Sequence, residues 1–119
     1  MLRLMRSFKW ALSGIGYTIR TQRNMQIHLL AAVLVAAVSL FLKIPPGELA
    51  MLAITIFMVL AAEMFNTALE TVVDLVSPEQ HRLAKIAKDV AAGAVLVTAI
   101  SALVVAYLLI WPRLEGLLR

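Results

Sequence analysis

With 119 residues, 62% of them hydrophobic and only 15% charged, the chain has the composition of one membrane-embedded unit and not of a soluble domain. The absence of cysteine excludes disulfides and thiolate metal sites. The net charge of +4 is unevenly spread, and its distribution points to a membrane surface, with no nucleic-acid partner expected.

Residues 1–23 carry Arg3, Arg6, Lys9, Arg20 and Arg23 and no acid. Met5, Phe8, Leu12, Ile15 and Ile19 share one helical face, with Arg6, Lys9, Ser13, Tyr17 and Arg20 broadly opposite. That pattern predicts an amphipathic helix lying in the membrane interface. No apolar run with a small-residue cleavage site follows it, so no cleavable signal peptide is expected. Residues 24–42 read as a first membrane span, closed by Lys43. Lys43-Ile-Pro-Pro-Gly-Glu48 is a tight turn. A second helix over 49–76 begins at Leu49, and about 20 residues of it fill the hydrocarbon core. Ser77-Pro78-Glu79-Gln80 has the form of a capping box and predicts a third helix over 78–111. Val90 onward is apolar, and Trp111 with Pro112 marks the far interface.

Lysine and arginine concentrate in the N-terminal stretch and between Ser77 and Asp89. The positive-inside rule then puts the N-terminus and this second loop in the cytoplasm and the C-terminus outside. Counted from either interface, the polar residues of all three spans converge on one depth, the cytoplasmic face of the membrane.

The second span carries Glu63, Asn66, Glu70 and Asp74 at spacings of three, four and four, which places them on one face of a helix. The stripe is about 16 Å long at the helical rise. Each charge near a bilayer centre costs on the order of 3 kcal/mol on insertion scales, so the stripe calls for cationic partners. Carboxylates with an amide suit a hard cation such as Mg²⁺, which is commonly held by one or two carboxylates plus substrate phosphates. Phosphoryl transfer needs a metal on the phosphates, cationic side chains and a base for the attacking hydroxyl. Glu70 fits the metal, Lys88 the phosphate, and the partly desolvated Glu63 the base. No Walker A sequence or kinase-type glycine loop is present, so any nucleotide site is unconventional.

The run AEMFNTALETVVDLVSPEQHRLAKIAKDVAAGAVL, with RTQRNMQIH upstream, closely resembles the small bacterial integral-membrane lipid kinases, the diacylglycerol and undecaprenol kinases. The resemblance covers nearly the whole chain. It implies an all-α membrane protein with an interfacial amphipathic helix and three transmembrane helices, assembled as a homotrimer with shared sites in the bacterial inner membrane. It implies ATP as phosphoryl donor, Mg²⁺ as cofactor and a lipid alcohol as substrate. By the same resemblance Glu63 is the catalytic base, and Glu70 binds metal. Asn66 and Asp74 line the active site. Arg3, Trp10, Glu79, Gln80, His81, Lys88 and Asp89 contact nucleotide. One departure is plain: Gln22 stands where the family usually has a second metal-binding glutamate, and by the resemblance its amide oxygen binds Mg²⁺ beside Glu70, though without a formal charge. The R-T-x-R-N-x-x-I-H and N-T-A-x-E segments resemble the undecaprenol-kinase branch more than the enterobacterial diacylglycerol kinases.

Other readings stay open on the residues alone. The polar stripe also suits hydrogen bonding between helices in an oligomer. A proton-coupled transporter uses intramembrane acids, but at mid-depth and with access from both sides. Gln22 also fits a catalytically weak family member. His28 reads most simply as an interfacial hydrogen-bonder, and Arg82 and Lys85 as positive-inside charges.

Overall fold

The structure, a computed structural model, describes residues 1–119. It is all-helical: α1 (Leu2–Thr21), α2 (Arg23–Phe41), α3 (Pro46–Val76) and α4 (Arg82–Leu118). The last three are long and apolar enough to cross a membrane. Only ten of the 119 residues are buried within the chain, so the apolar side chains face outward, as suits hydrocarbon or neighbouring subunits.

The α1–α2 junction is a break at one residue. Gln22 is extended, at φ −103° and ψ 112°, while its amide still bonds the Thr18 carbonyl at 2.9 Å. The side chain of Gln26 then donates to the Ile19 carbonyl at 3.0 Å, covering a group that the end of α1 leaves free. Both the apolar and the basic residues of α1 are largely exposed; α1 touches α2 and α3, and Thr18 is its one buried residue.

At the other end of α2 the chain closes in a Schellman arrangement. Ile44 N–H bonds the Ser39 carbonyl and Lys43 N–H the Leu40 carbonyl, both at 3.1 Å, and Ile44 is buried beneath the turn. The C′ position of this motif is left-handed and favours glycine. Here it is Lys43, at φ 53°.

The sequence places the start of the next helix at Leu49, whereas α3 begins at Pro46. Proline's fixed φ suits the first helical position and its missing N–H has no partner to lose there, so the second proline of the turn opens the helix. A second boundary is also corrected. Ser77 does not cap a helix over 78–111. It closes α3, its amide bonded to the Val73 carbonyl at 2.8 Å and its hydroxyl donating to the Glu79 carbonyl at 3.1 Å. A serine committed to one helix end is not available to begin the next, and α4 starts at Arg82, with His81 Nδ1 accepting from Leu83 N–H at 3.1 Å. Nor does Pro112 stop α4, which runs on to Leu118. Arg113 donates from Nη1 to the Leu109 carbonyl at 2.7 Å beside the break in the ladder.

The tightest packing is between antiparallel α3 and α4, and an ion pair closes each end of it. Arg113 Nη2 meets Glu48 Oε2 at 2.8 Å, and Lys88 meets Asp74. Twenty-six residues separate Glu48 from Asp74 and twenty-five separate Lys88 from Arg113. At 1.5 Å per residue the two pairs lie roughly 38 Å apart, a bilayer core with part of its headgroup layers.

Candidate functional site

Where α3 ends and α4 begins, the non-helical segment between Ser77 and His81 walls a polar cavity of about 540 Å³. Asp74, Glu79, Gln80, His81, Lys88 and Asp89 line it, so six residues expected at the site share one bowl. Arg82 and Lys85, read from sequence as topology charges, line it too. Lys85 holds Asp89 through a 2.6 Å ion pair, while Lys88 turns to Asp74. The neighbours Lys88 and Asp89 are therefore not bonded to each other: adjacent helical side chains diverge by about 100°. Lys88 stands on the polar first turns of α4, ahead of the apolar stretch that opens at Val90. The hydrogen bond to Asp74 raises its pKa above the ordinary 10.5 against some desolvation, with the charges of Asp74 and Glu70 adding to the rise.

Beneath the bowl the stripe of α3 descends into the membrane part of the helix, and burial increases along it. Asp74 is exposed, Glu70 is half-buried, and Asn66 and Glu63 are buried, Glu63 at 2% exposure. Asn66 Nδ2 donates to Glu70 Oε1 at 3.2 Å, which fixes the direction of the amide. Thr67, also buried, donates its hydroxyl to the Glu63 carbonyl at 2.9 Å. Two side-chain oxygens are left buried without any partner, Glu63 Oε2 and Asn66 Oδ1. A buried polar atom without a partner is costly, so these two are open to a group from outside the chain.

That donor set is all oxygen, which suits a hard cation. No three His, Asp or Glu side chains converge on one point within the chain. A cation here would rest on Glu70 and the free Asn66 oxygen and fill its shell from phosphate and water, as Mg²⁺ commonly does. Gln22 lies outside this set. Its amide donates to the Thr21 hydroxyl at 3.1 Å, at the α1–α2 break, and makes no hydrogen bond to Glu70. Arg3 and Trp10 are also apart from the bowl, exposed on the free part of α1. Lys85 and Thr67 were missed by sequence reasoning. The i, i+4 spacing of Lys85 and Asp89 carries a signal for the first, whereas nothing in the sequence distinguishes Thr67 from other buried threonines.

The fold and the site define a multi-span membrane protein with a nucleotide-sized polar bowl at one end of its helices and unpaired acid beneath it. The family model described as prokaryotic diacylglycerol kinase matches residues 9–110, and the chain belongs to that family. It is 46% identical over 116 residues to a diacylglycerol kinase of Synechocystis sp., covering 97% of this chain and 66% of that one. It is 38% identical over 112 residues to an undecaprenol kinase of Bacillus subtilis, covering 94% and 91%, and 30% identical over 83 residues to a diacylglycerol kinase of Escherichia coli, covering 70% and 68%. The chain thus spans just under two thirds of the Synechocystis relative and nearly all of the Bacillus one. All three relatives are lipid kinases by name.

Proposed function

We propose that this chain is a lipid kinase that transfers the γ-phosphoryl group of ATP to a membrane alcohol, undecaprenol or diacylglycerol, with undecaprenol preferred. The observation that carries the reading is vertical. A polar bowl with Lys85, Lys88 and Arg82 on its wall lies one turn above the Asn66–Glu70 pair, and the unpartnered Glu63 oxygen lies about one turn below Asn66 on the same stripe. Phosphates entering from the aqueous side and an alcohol entering from the membrane would meet between them.

In this mechanism Lys88 and Lys85 neutralise phosphate charge, and Asp74 and Asp89 keep the two ammonium groups in place. Glu79, Gln80 and His81 border the nucleotide. Glu63 Oε2 accepts the hydroxyl proton as the alcohol oxygen bonds to the γ-phosphorus. The bond from that phosphorus to the bridging oxygen breaks, and ADP leaves. Glu70 and Asn66 would hold Mg²⁺, which supplies charge neutralisation on the phosphates. The proposal takes the N-terminus as cytoplasmic, the C-terminus as outside and α1 as interfacial, on the lysine and arginine distribution. It also takes the working unit as a homotrimer. The exposed position of Arg3 and Trp10, away from their own chain's bowl, suits a nucleotide site completed by a neighbour's α1.

The test is phosphorylation from radiolabelled ATP, in detergent, with each lipid in turn and with or without Mg²⁺. Lipid phosphate is expected only with Mg²⁺, and Glu63→Gln is expected to lose about 10²- to 10⁴-fold in rate, the range for a general base. Normal rates in both Glu63→Gln and Glu70→Gln would remove the assigned roles. Equal rates with the two lipids would remove the preference for undecaprenol, and a wild-type chain without lipid phosphorylation would return the transporter and weak-member readings.

A further inference from the structure

α4 is opened by an uncommon cap. Most helices begin with a serine, threonine, aspartate or asparagine, whose side-chain oxygen accepts a first-turn N–H. Here the residue is His81, extended at φ −120° and ψ 140°, and its ring nitrogen Nδ1 accepts from Leu83 N–H at 3.1 Å. Its carbonyl accepts from Lys85 N–H at 3.0 Å. His81 therefore holds the first turn of α4 through both side chain and backbone. Ser77, the nearest hydroxyl, is engaged at the end of α3 and with the Glu79 carbonyl. The turn so held carries charge into the bowl. Arg82 and Lys85 lie on it and Lys88 on the next, and all three line the bowl together with His81. With them stand Asp74 of α3, Glu79 of the connecting segment and Asp89 of α4, while α1 and α2 contribute nothing to this lining. Three acids thus accompany three bases, with one imidazole among them.

We propose that His81 is a positioning residue for the nucleotide phosphates: as a neutral cap it keeps the first turn of α4, and with it Arg82 and Lys85, in place on the bowl, and protonation releases that turn. The inference rests on the lipid-kinase reading above and adds to it a pH response of the nucleotide seat. Nδ1 accepts only while it carries no proton, so the bond to Leu83 fixes a neutral ring with its proton on Nε2. Protonation makes Nδ1 a donor facing another donor, and it sets a cation at the positive end of the helix dipole. Both effects loosen the turn. Histidine is the side-chain type whose ordinary charge change falls between pH 5 and 8, a range in which an oxygen cap such as asparagine does not respond. The charge gained by the ring is a poor replacement for what is lost. His81 is exposed, where a single charge is screened, whereas two cations lose their fixed places.

The test uses the full chain in lipid nanodiscs and reads equilibrium binding of ATP with Mg²⁺, together with the amide resonance of Leu83. Wild type is expected to bind ATP about fivefold more weakly near pH 5.5 than near pH 8, on the scale of one lost cap, and the Leu83 amide should titrate over the same interval. Protonation of ATP itself is common to every variant, so each affinity ratio is taken against that of His81→Asn. His81→Asn caps at either pH, and its Leu83 amide should stay flat. His81→Ala, which has no cap, should also give a flat ratio but bind more weakly than His81→Asn at both pH values. The same pH ratio in wild type and His81→Asn, tighter binding by wild type in acid, or a Leu83 amide indifferent to pH in wild type would each overturn the proposal. Lipid phosphorylation alongside any of these would leave the kinase reading standing. A chain with the expected binding and titration that makes no lipid phosphate would overturn the kinase reading alone.

Discussion

Asp74 and Lys88 join the C-terminal end of α3 to the N-terminal end of α4 across fourteen residues of sequence. The pair stands at the wall of the polar bowl and also above the Asn66–Glu70 pair, whose carboxylate adds to the field that keeps Lys88 charged. Exposed ion pairs contribute little to stability. The reason for this one to exist is therefore position, and its loss should fall on catalysis.

Lys88→Ala is expected to lower kcat/KM for ATP by at least about tenfold, a charge-assisted contact to phosphate being worth that or more, while the melting temperature in detergent hardly moves. Asp74→Asn should weaken ATP binding less, because the ammonium stays and only its orientation is freed. The pKa of Lys88 is raised in the folded chain, so the pair's contribution is complete below the ordinary lysine value and fades only as the pH climbs past the raised one. The activity profile between pH 6 and 9 should then show no step from Lys88, and a step that disappears in Lys88→Arg would contradict this.

The opposite end of the same hairpin makes the contrary prediction. Glu48 Oε2 is buried, and Arg113 is the group that faces it, at 2.8 Å. Arg113→Ala leaves that oxygen alone, which should cost about 1–2 kcal/mol and lower the melting temperature. Activity of the folded fraction should be unchanged, since the site is roughly 38 Å away along the helices. Glu48→Gln combined with Arg113→Met should recover part of the loss, because removing both charges is milder than orphaning one.

The hairpin turn supplies a third prediction. Lys43 sits at φ 53°, a left-handed conformation that costs an ordinary residue about 1–2 kcal/mol. Glycine removes that strain but adds freedom to the unfolded chain. Lys43→Gly should thus stabilise by a net amount of about 0.5–1 kcal/mol, read as a higher unfolding midpoint. Lys43→Val, β-branched, should destabilise. Destabilisation by the glycine variant would mean that the lysine side chain contributes a contact worth more than the strain.

Much of this fold was legible from the sequence because lipid as solvent demands long apolar runs, and three of them are there. The stripe Glu63, Asn66, Glu70 and Asp74 was legible because a helix has one period and four polar residues on it stand out. The boundaries were not. Ser77 has the same appearance whether it ends one helix or starts another, and only the bond from its amide to Val73 decides. Pro112 marks a helix end in most sequences, yet α4 passes through it. Which acid Lys88 takes was also hidden. Asp89 is adjacent in sequence but points elsewhere, and the choice of Asp74 depends on the register of α3 against α4. The same register pairs Glu48 with Arg113, sixty-five residues apart, and no local pattern carries such a pairing.

The last prediction concerns Gln22. It stands at the break between α1 and α2, and its amide is engaged with Thr21. Glu70 and Asn66 alone offer one carboxylate and one amide oxygen, few ligands and little charge for a divalent cation. Gln22→Glu would add a formal charge where the family resemblance implies a second metal-binding glutamate beside Glu70. If the break faces the metal in the assembled protein, the Mg²⁺ concentration giving half-maximal lipid phosphorylation should fall several-fold in Gln22→Glu and rise in Glu70→Gln. The double variant should then lie between them, because the new carboxylate replaces part of the charge that Glu70→Gln removes. Half-saturation indifferent to Gln22→Glu, with Glu70→Gln impaired as expected, would show that this residue is too far from the cation to sense it. The bond to Thr21 would in that case be the whole of its role, and metal would rest on α3.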